Sequence, residues 1–419
     1  MLSIGNLTAS PGQKISGNVP IQPAVAKNNS SSNSLCIPIT TVNGAEDGPT
    51  LVILSGIHGS EYVPIRATQR LAKETDPSTL KGGLILVHIA NLPAYLGRTI
   101  YTSPKDGKNL NRVFPGSPTG TPTEQIADFL VNEVYPLADA LLDMHSGDAN
   151  EQLGPSYTAY YGKAGSPENV QKSKDMAFAF GVNLVVEFQW ELQGDDNITM
   201  SGAIWAGSAA VARGIPSIDV EAAPGMGESP SESINDVFEG VRNVMRHLGM
   251  LEQEVKTPNG QKNDPCLVTE RHFIDAPVEG SWIPSIDTGT FVAEGDVLGT
   301  ITDFTGRNSL FVATSPSDGL LLIRLETPPV LAGDPLAVIA ILETEMPSCE
   351  RLKRTTLQHA KAGVALLSPS NVELWQWTST IGWLVAIGLG LVLGKTRRNE
   401  SYEHQTAHHA VPAEDSSIT

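Results

Sequence analysis

The 419-residue sequence has little positive charge, few cysteines and no internal repeat. Lys and Arg number 28 against 46 Asp and Glu, which gives a formal net charge of −18. An acidic surface of this kind repels nucleic acid and anionic lipid, so a nucleic-acid role is not expected. Hydrophobic residues make up 40% of the chain and charged residues 18%, which excludes a largely disordered chain and predicts a globular α/β protein.

The three cysteines, Cys36, Cys266 and Cys349, are far apart, and no two of them have the CxxC spacing. The sequence therefore predicts neither a thiolate zinc site nor a disulfide framework, and we expect buried or inert thiols. Residues 1–20 lack a basic start followed by an apolar core, so no ordinary secretory signal peptide is predicted. We expect the folded body to stay in the compartment where it is made.

Apolar runs alternate with helical patterns from residue 46 to residue 251, after an N-terminal arm with edge strands at 1–45. This alternation predicts a sheet with crossover helices. The predicted strands are 51–54, 84–89, 140–144, 183–188 and 216–221, and the predicted helices are 61–73, 124–134 and 233–248.

The sequence pattern changes after a polar linker at 252–264. Residues 265–343 consist of short strands punctuated by Gly, Pro and Asp, which predicts a small all-β domain, either a barrel or a sandwich. A polar linker follows at 344–373. Residues 374–394 carry no charge and are long enough to cross a bilayer as a helix, with three tryptophans near one end and Lys395, Arg397 and Arg398 at the other. We predict a hydrophobic C-terminal transmembrane helix at 374–394, with a helix docked on the protein or lying in the membrane interface as the alternatives, and a disordered tail at 395–419.

The strongest chemical signal is the segment GIHGSE, Gly56 to Glu61, directly after an apolar strand. A strand that ends in such a loop places His58 at the carboxyl edge of the sheet and Glu61 at the start of the next helix. A hydrolytic zinc needs three His or Glu ligands and one open position. His145 in LLDMHSGD also follows an apolar strand, and Asp143 two residues earlier is placed to orient its imidazole. From spacing alone, a structural or solvated role for either histidine stays open.

Three segments together resemble the succinylglutamate desuccinylase/aspartoacylase family: GIHGSE, NLNRVFPG at 109–116, and LLDMHSGD. The resemblance covers about residues 4–342 and includes the small β domain. It implies a fold like that of the zinc carboxypeptidases, a mixed sheet flanked by helices. It also implies one Zn²⁺ per chain, bound by His58, Glu61 and His145, with a coordinated water as nucleophile.

The resemblance further implies that Glu221 in SIDVEAAPG is the general base, with Glu187 and Asp219 as the other candidates. Asn111 and Arg112 resemble the substrate clamp of the family, since a guanidinium can bind a carboxylate through two parallel hydrogen bonds.

Arg98 resembles the family arginine that polarises the scissile carbonyl. Arg213 is the nearest candidate for a second substrate-side arginine, and no residue of the small domain can be assigned to the site. That domain resembles biotinyl and lipoyl barrels, but residues 266–342 contain no lysine, which excludes a swinging cofactor arm.

The favoured function is a zinc-dependent deacylase that hydrolyses the amide bond of an N-acyl amino acid or a similar small N-acylated amine. A zinc carboxypeptidase acting on peptide C-termini and a non-catalytic, membrane-attached binding module are the alternatives. We expect a small-molecule substrate, no nucleic acid, and an enzyme on the cytoplasmic side of a membrane, held by its C-terminal tail, or free in the cytoplasm. Neither the oligomeric state nor the acyl group can be inferred from the sequence.

Overall fold

The structure is a computed structural model that describes residues 1–21, 35–191, 203–252, 264–343 and 346–354. The helices are α1 (Tyr62–Glu74), α2 (Leu92–Gly97), α3 (Pro122–Phe129), α4 (Pro167–Phe180), α5 (Ala206–Val211) and α6 (Ser231–His247), with further helical residues at 347–354. The strands of the first part of the chain are β1 (Leu2–Ile4), β2 (Leu7–Ala9), β3 (Gln13–Pro20), β4 (Cys36–Asn43), β5 (Glu46–Ser55), β6 (Lys81–Val87), β7 (Ala140–Ser146), β8 (Glu151–Leu153), β9 (Tyr157–Lys163), β10 (Leu184–Glu191) and β11 (Ser217–Ala222). Those of the later part are β12 (Cys266–Val268), β13 (Glu270–Asp275), β14 (Gly280–Pro284), β15 (Phe291–Val292), β16 (Val297–Thr302), β17 (Ser309–Thr314), β18 (Gly319–Leu325), β19 (Pro329–Val330) and β20 (Pro335–Ile341).

A nine-stranded mixed sheet has the order β12-β10-β9-β11-β7-β5-β6-β4-β3. Its central strands β11, β7, β5 and β6 are parallel to one another, whereas β9 and β4 run antiparallel to their neighbours β11 and β6. The predicted mixed α/β fold is confirmed. Because the central strands are parallel, the residues that follow β5, β7 and β11 meet at one edge of the sheet.

Helices cover both faces of this sheet, and β5 shows why its sequence is continuously apolar. Val52 and Leu54 pack in the cluster that includes α3 and α5, whereas Leu51 and Ile53 pack in the cluster that includes α1, α4 and α6. All four side chains are fully buried. Successive residues of a strand point to opposite faces, so a strand covered on both sides needs apolar side chains at every position.

Residues 270–341 form two antiparallel sheets, with the strand orders β13-β20-β18-β15 and β17-β16-β14-β19. Trp282, Ile301 and Ile339 are among the buried side chains of their shared core. Strands of the two parts of the chain pair with each other: β12 joins the large sheet next to β10, and β8 pairs with β18. The small β unit is therefore anchored to the larger one through backbone hydrogen bonds on both sides.

Cys266 and Cys349 form a disulfide across a sequence separation of 83 residues. The expectation of inert, unpaired thiols is wrong for these two residues, whereas Cys36 is a free cysteine. The sequence gives no local spacing signal for this pair, because β12 and the 347–354 helix are far apart in the sequence and adjacent only in the folded chain. The disulfide ties this helix, within the predicted linker 344–373, to the edge of the large sheet.

The predicted transmembrane helix at 374–394 and the predicted disordered tail at 395–419 lie outside the described residues. Of the helices in the described ranges, none combines the length and the apolar character needed to cross a membrane. The predicted membrane helix stays a prediction.

Candidate active site

His58 and Glu61 lie on the loop that connects β5 to α1. Gly56 in this loop has a φ of +68°. A Cβ atom at Gly59 would lie 2.3 Å from the carbonyl carbon of Ala94. Both positions require glycine, the first for its left-handed backbone and the second for the close approach of α2. Glu61 is the N-cap residue of α1, and this tight turn places its carboxylate beside the imidazole of His58.

His145 completes a cluster of three metal-ligand types at the carboxyl edge of the sheet. It lies at the end of β7, which is parallel to β5. Nδ1 of His58 is 2.9 Å from Oε1 of Glu61, and Nδ1 of His145 is 3.0 Å from Oε2. One donor atom from each residue lies within 4.8 Å of the other two, and all three residues are buried. Two imidazole nitrogens and a carboxylate oxygen facing one point are a donor set that suits Zn²⁺.

Asp143 lies behind the imidazole of His145. Its Oδ1 lies 3.2 Å from Nε2 of His145, the ring nitrogen that faces away from Glu61. Its Oδ2 accepts a hydrogen bond of 3.2 Å from the backbone N–H of Gly207. This arrangement can fix the ring orientation and keep the Nδ1 lone pair directed at the cluster centre.

The pKa values of the cluster residues are shifted because ionisable groups lie close together in a buried site. Burial disfavours a charged His58, but the carboxylates of Glu61 and Asp148 outweigh burial and raise its pKa to about 10. Burial also opposes ionisation of Glu61, yet His145 and His58 outweigh burial and lower its pKa. Each histidine is thus attracted to a buried carboxylate, and such an arrangement is expected where the same residues can share a cation.

Asn111 and Arg112 lie next to the cluster, on a single 3₁₀ turn. Oδ1 of Asn111 accepts a hydrogen bond of 2.8 Å from the backbone N–H of Ala206, and its Nδ2 lies 3.5 Å from Nε2 of His145. One guanidinium nitrogen of Arg112 donates to the carbonyl of Asn111 at 2.7 Å. Partial burial of the guanidinium lowers the pKa of Arg112, although the residue as a whole is exposed. The turn presents this positive charge to the site.

Glu221 lies at the end of β11, directly beside His145 in the parallel register of β11 and β7. Burial raises its pKa well above the ordinary range, and the carboxylates of Glu61 and Asp219 act in the same direction. Of the other two candidates for the base, Asp219 accepts a hydrogen bond of 2.8 Å from the hydroxyl of Tyr161.

Glu187, the third candidate, accepts hydrogen bonds from Tyr160 at 2.6 Å and from Gln189 at 3.0 Å. A cavity opens over the cluster, and Glu221 and Asp219 line it, whereas Glu187 does not.

A cavity of about 600 Å³ opens over the cluster and is bounded by residues of both parts of the chain. His58, Glu61 and His145 line it with Asn111, Arg112 and Glu221. The rest of the lining is an aromatic wall and residues of the small β unit: Tyr101, Tyr157, Tyr161, Phe188, Trp205, Arg271, Phe273 and Ile323. Its size and partly apolar lining suit a small organic molecule.

Arg98 lies outside this cavity, contrary to the prediction that it polarises the scissile carbonyl. It ends α2 with a left-handed φ of +53°, its side chain is exposed, and it lines another surface pocket with Tyr62 and Arg66. The turn after α2 therefore takes its guanidinium away from the cluster. Arg213 is also absent from the cavity lining, and its guanidinium donates to the carbonyl of Ala209 at 2.8 Å.

Several residues at the site were not predicted. Asp148 has one carboxylate oxygen 3.3 Å from Nδ1 of His58, and its other oxygen accepts a 2.9 Å hydrogen bond from the hydroxyl of Ser60. Asp148 could have been predicted, because it belongs to the same LLDMHSGD segment as His145. Tyr101 donates a hydrogen bond to Glu151, whose pKa burial and the nearby charge of Asp148 raise to about 7. These two residues, like Arg271, carry no sequence pattern that connects them to the cluster.

Comparison with known proteins agrees with this geometry. The model of the succinylglutamate desuccinylase/aspartoacylase catalytic domain matches residues 47–248. The N-alpha-acetyl-L-2,4-diaminobutyric acid deacetylase of Halomonas elongata is 30% identical over 330 residues, which are 75% of this chain and 89% of that enzyme. The chain belongs to the succinylglutamate desuccinylase/aspartoacylase family.

Solved structures of family members have the same fold. The product-bound ectoine utilization protein EutE (DoeB) from Ruegeria pomeroyi is 27% identical, with a TM-score of 0.69 over 80% of this chain and 98% of that one. A succinylglutamate desuccinylase/aspartoacylase from Rhodobacter sphaeroides is also 27% identical, with a TM-score of 0.67 over 79% of this chain and 96% of that one. These structures match 79 to 80% of this chain, a larger share than residues 47–248, so the resemblance is not confined to the catalytic domain.

Proposed function

We propose that the protein is a zinc-dependent deacylase that hydrolyses the amide bond of an N-acyl amino acid or a similar small N-acylated amine. The observation that carries the proposal is the buried convergence of His58, Glu61 and His145 next to Glu221. The deacetylase activity of the Halomonas relative supports the reaction class, and makes Nα-acetyl-L-2,4-diaminobutyrate the first substrate to test.

His58 and His145 through Nδ1, and Glu61 through its carboxylate, would hold the zinc. When bound there, zinc polarises a carbonyl and lowers the pKa of a water ligand toward 7. Asp143 holds the His145 ring in its ligating orientation through Nε2.

Glu221 acts as the general base in this proposal. Its carboxylate accepts a proton from the attacking water and passes that proton to the amide nitrogen as the carbon–nitrogen bond breaks. The products are a carboxylate and a free amine, and the carboxylate of Glu221 is restored. Asn111 and Arg112 bind and orient the substrate beside His145, where the positive charge of Arg112 favours an anionic or strongly polarised partner.

A panel of N-acetyl and N-succinyl amino acids, with short peptides as the alternative substrates, tests the function. We expect zinc-dependent hydrolysis of one or more N-acyl amino acids, loss of activity after removal of the metal with a chelator, and recovery after zinc is added back. Preference for peptide C-termini would favour a carboxypeptidase, because the same donor set suits that reaction. No hydrolysis and no metal affinity would favour a binding module.

Membrane attachment through residues 374–394 is the second part of the proposal. The full chain should sediment with membranes, and a chain that ends at residue 373 should remain in the supernatant. The Cys266–Cys349 disulfide argues against the proposed cytoplasmic orientation, because stable disulfides are rare in a reducing cytosol. Protease added outside intact cells or spheroplasts tests the orientation: a protected enzyme domain supports the cytoplasmic orientation, and a digested one refutes it.

A further inference from the structure

Arg271 is a residue of the small β unit that reaches the cavity of the proposed active site. It lies on β13, two residues before Phe273, so both side chains are on the same side of the strand. Both line the cavity. The guanidinium carbon of Arg271 lies 4.6 Å from the ring centroid of Phe188 and 5.4 Å from that of Phe273. The guanidinium is therefore held by aromatic contacts from both parts of the chain.

Among the described residues, the guanidinium of Arg271 forms no ion pair, since no carboxylate of that part of the chain lies within 4.0 Å of it. Arg324 in the same β unit, by contrast, pairs with Asp287 at 3.0 Å and with Glu326 at 2.7 Å. A guanidinium that stacks on aromatic rings keeps the N–H groups along its edge available, and these match the geometry of a carboxylate.

Arg271 lies on the side of the cavity where Glu221 is found. The ring of Phe188, which the guanidinium of Arg271 contacts, lies 5.4 Å from the ring of Tyr161. The hydroxyl of Tyr161 donates a hydrogen bond of 2.8 Å to Asp219, which is two residues before Glu221 on β11. Arg112 belongs instead to the turn beside Nε2 of His145.

We propose that Arg271 binds the carboxylate of the amino-acid half of the substrate. The inference rests on the proposed function, in which Glu221 delivers a proton to the leaving nitrogen. The amino-acid half must then lie beside Glu221, and its carboxylate carbon is only two bonds from that nitrogen. The small β unit thus contributes directly to substrate recognition.

Two matched probes test this assignment: Nα-acetyl-L-2,4-diaminobutyrate and the same compound with its carboxylate converted to a carboxamide. A charge-assisted hydrogen-bonded pair of this type contributes about 10- to 100-fold. We expect the unmodified protein to prefer the acid by that factor, and Arg271→Gln to lose the preference through KM, with carboxamide turnover changed less than about threefold. Arg271→Lys should keep part of the preference, because it retains the charge without the planar fork. Arg307→Gln is the control, since Arg307 is an exposed residue of the same β unit outside the cavity lining.

Binding measured by calorimetry on the zinc-loaded Glu221→Gln protein separates this assignment from the proposed function. If the unmodified protein cleaves neither probe, the proposed function fails, while a carboxylate preference in binding that disappears with Arg271→Gln still supports Arg271. Equal binding of both probes, or no binding of the acid, overturns the inference. So does a preference that persists in Arg271→Gln, and loss of that preference in Arg112→Gln would assign the carboxylate to Arg112. Thermal unfolding midpoints establish that each variant is folded, and the comparison of the two probes on the unmodified protein needs no variant at all.

Discussion

Replacing Glu221 by Gln should remove most of the hydrolytic activity and leave zinc bound. Gln has the size of Glu but cannot accept a proton at neutral pH. Glu221 lies beside His145 in the register of β11 and β7, and it is not one of the three residues whose donor atoms converge. The substitution therefore changes the proton acceptor and leaves the proposed ligand set intact.

The size of the expected loss follows from the role of this carboxylate as a proton acceptor. Burial raises the pKa of Glu221, the charge of His145 opposes that rise, and the charges of Glu61 and Asp219 add to it. A positioned general base contributes about 10²- to 10⁴-fold, which equals about 3 to 5 kcal/mol of transition-state stabilisation. We expect a loss of that size in kcat, with little change in KM.

The assay compares steady-state hydrolysis and zinc content in Glu221→Gln and Glu187→Gln. Glu187 is the matched control, because its carboxylate is held by Tyr160 and Gln189 and does not line the cavity. Glu187→Gln should change kcat by less than about threefold. A Glu221→Gln protein with full activity, or one that has lost its zinc, would refute the role assigned to Glu221.

Three further predictions concern the metal, the disulfide and pH. Asp143→Asn should weaken zinc binding by about 10- to 100-fold through loss of support for His145, measured by competition with a chromogenic chelator; unchanged affinity would contradict that support. Replacing Cys266 and Cys349 by Ala should lower the free energy of unfolding in urea by about 2 to 4 kcal/mol, because the disulfide closes a long loop in the unfolded chain. Equal stability of the oxidised and Ala forms would contradict this. Burial lowers the pKa of His88 from 6.5 to about 4, so the unfolded chain binds a proton that the folded chain excludes. His88 should therefore cost about 2 kcal/mol of stability as pH falls from 7 to 5, and His88→Gln should show a correspondingly smaller loss in urea unfolding at the two pH values.

Much of the fold could be predicted because its signals are local. The run Leu51–Leu54 is apolar at every position because it is covered on both faces, and the glycines at 56 and 59 mark the turn that positions His58. The predicted helix 61–73 corresponds to α1, Tyr62–Glu74, and the predicted strand 140–144 corresponds to β7, Ala140–Ser146. Parallel neighbours then bring His58 and His145 to one edge, which is a consequence of topology that the motif order already indicates.

The parts that could not be predicted depend on contacts between distant segments. The Cys266–Cys349 disulfide joins residues with no characteristic spacing, and β8 and β12 cross between the two parts of the chain. Arg271 comes from the small β unit, and only packing against Phe188 brings it to the cavity. Arg98 shows the converse, because the family resemblance implies a place at the site, whereas the turn after α2 puts its exposed side chain in another surface pocket.

Metal analysis combined with X-ray absorption on the purified full-length chain tests the central claim most directly. We predict about one zinc per chain, with two imidazole nitrogens and a carboxylate oxygen at about 2.0 to 2.2 Å. His58→Ala and His145→Ala should each lose the metal. Protein that is purified with zinc supplied and remains metal-free, or a His145→Ala variant that retains zinc in the same coordination, would contradict the account.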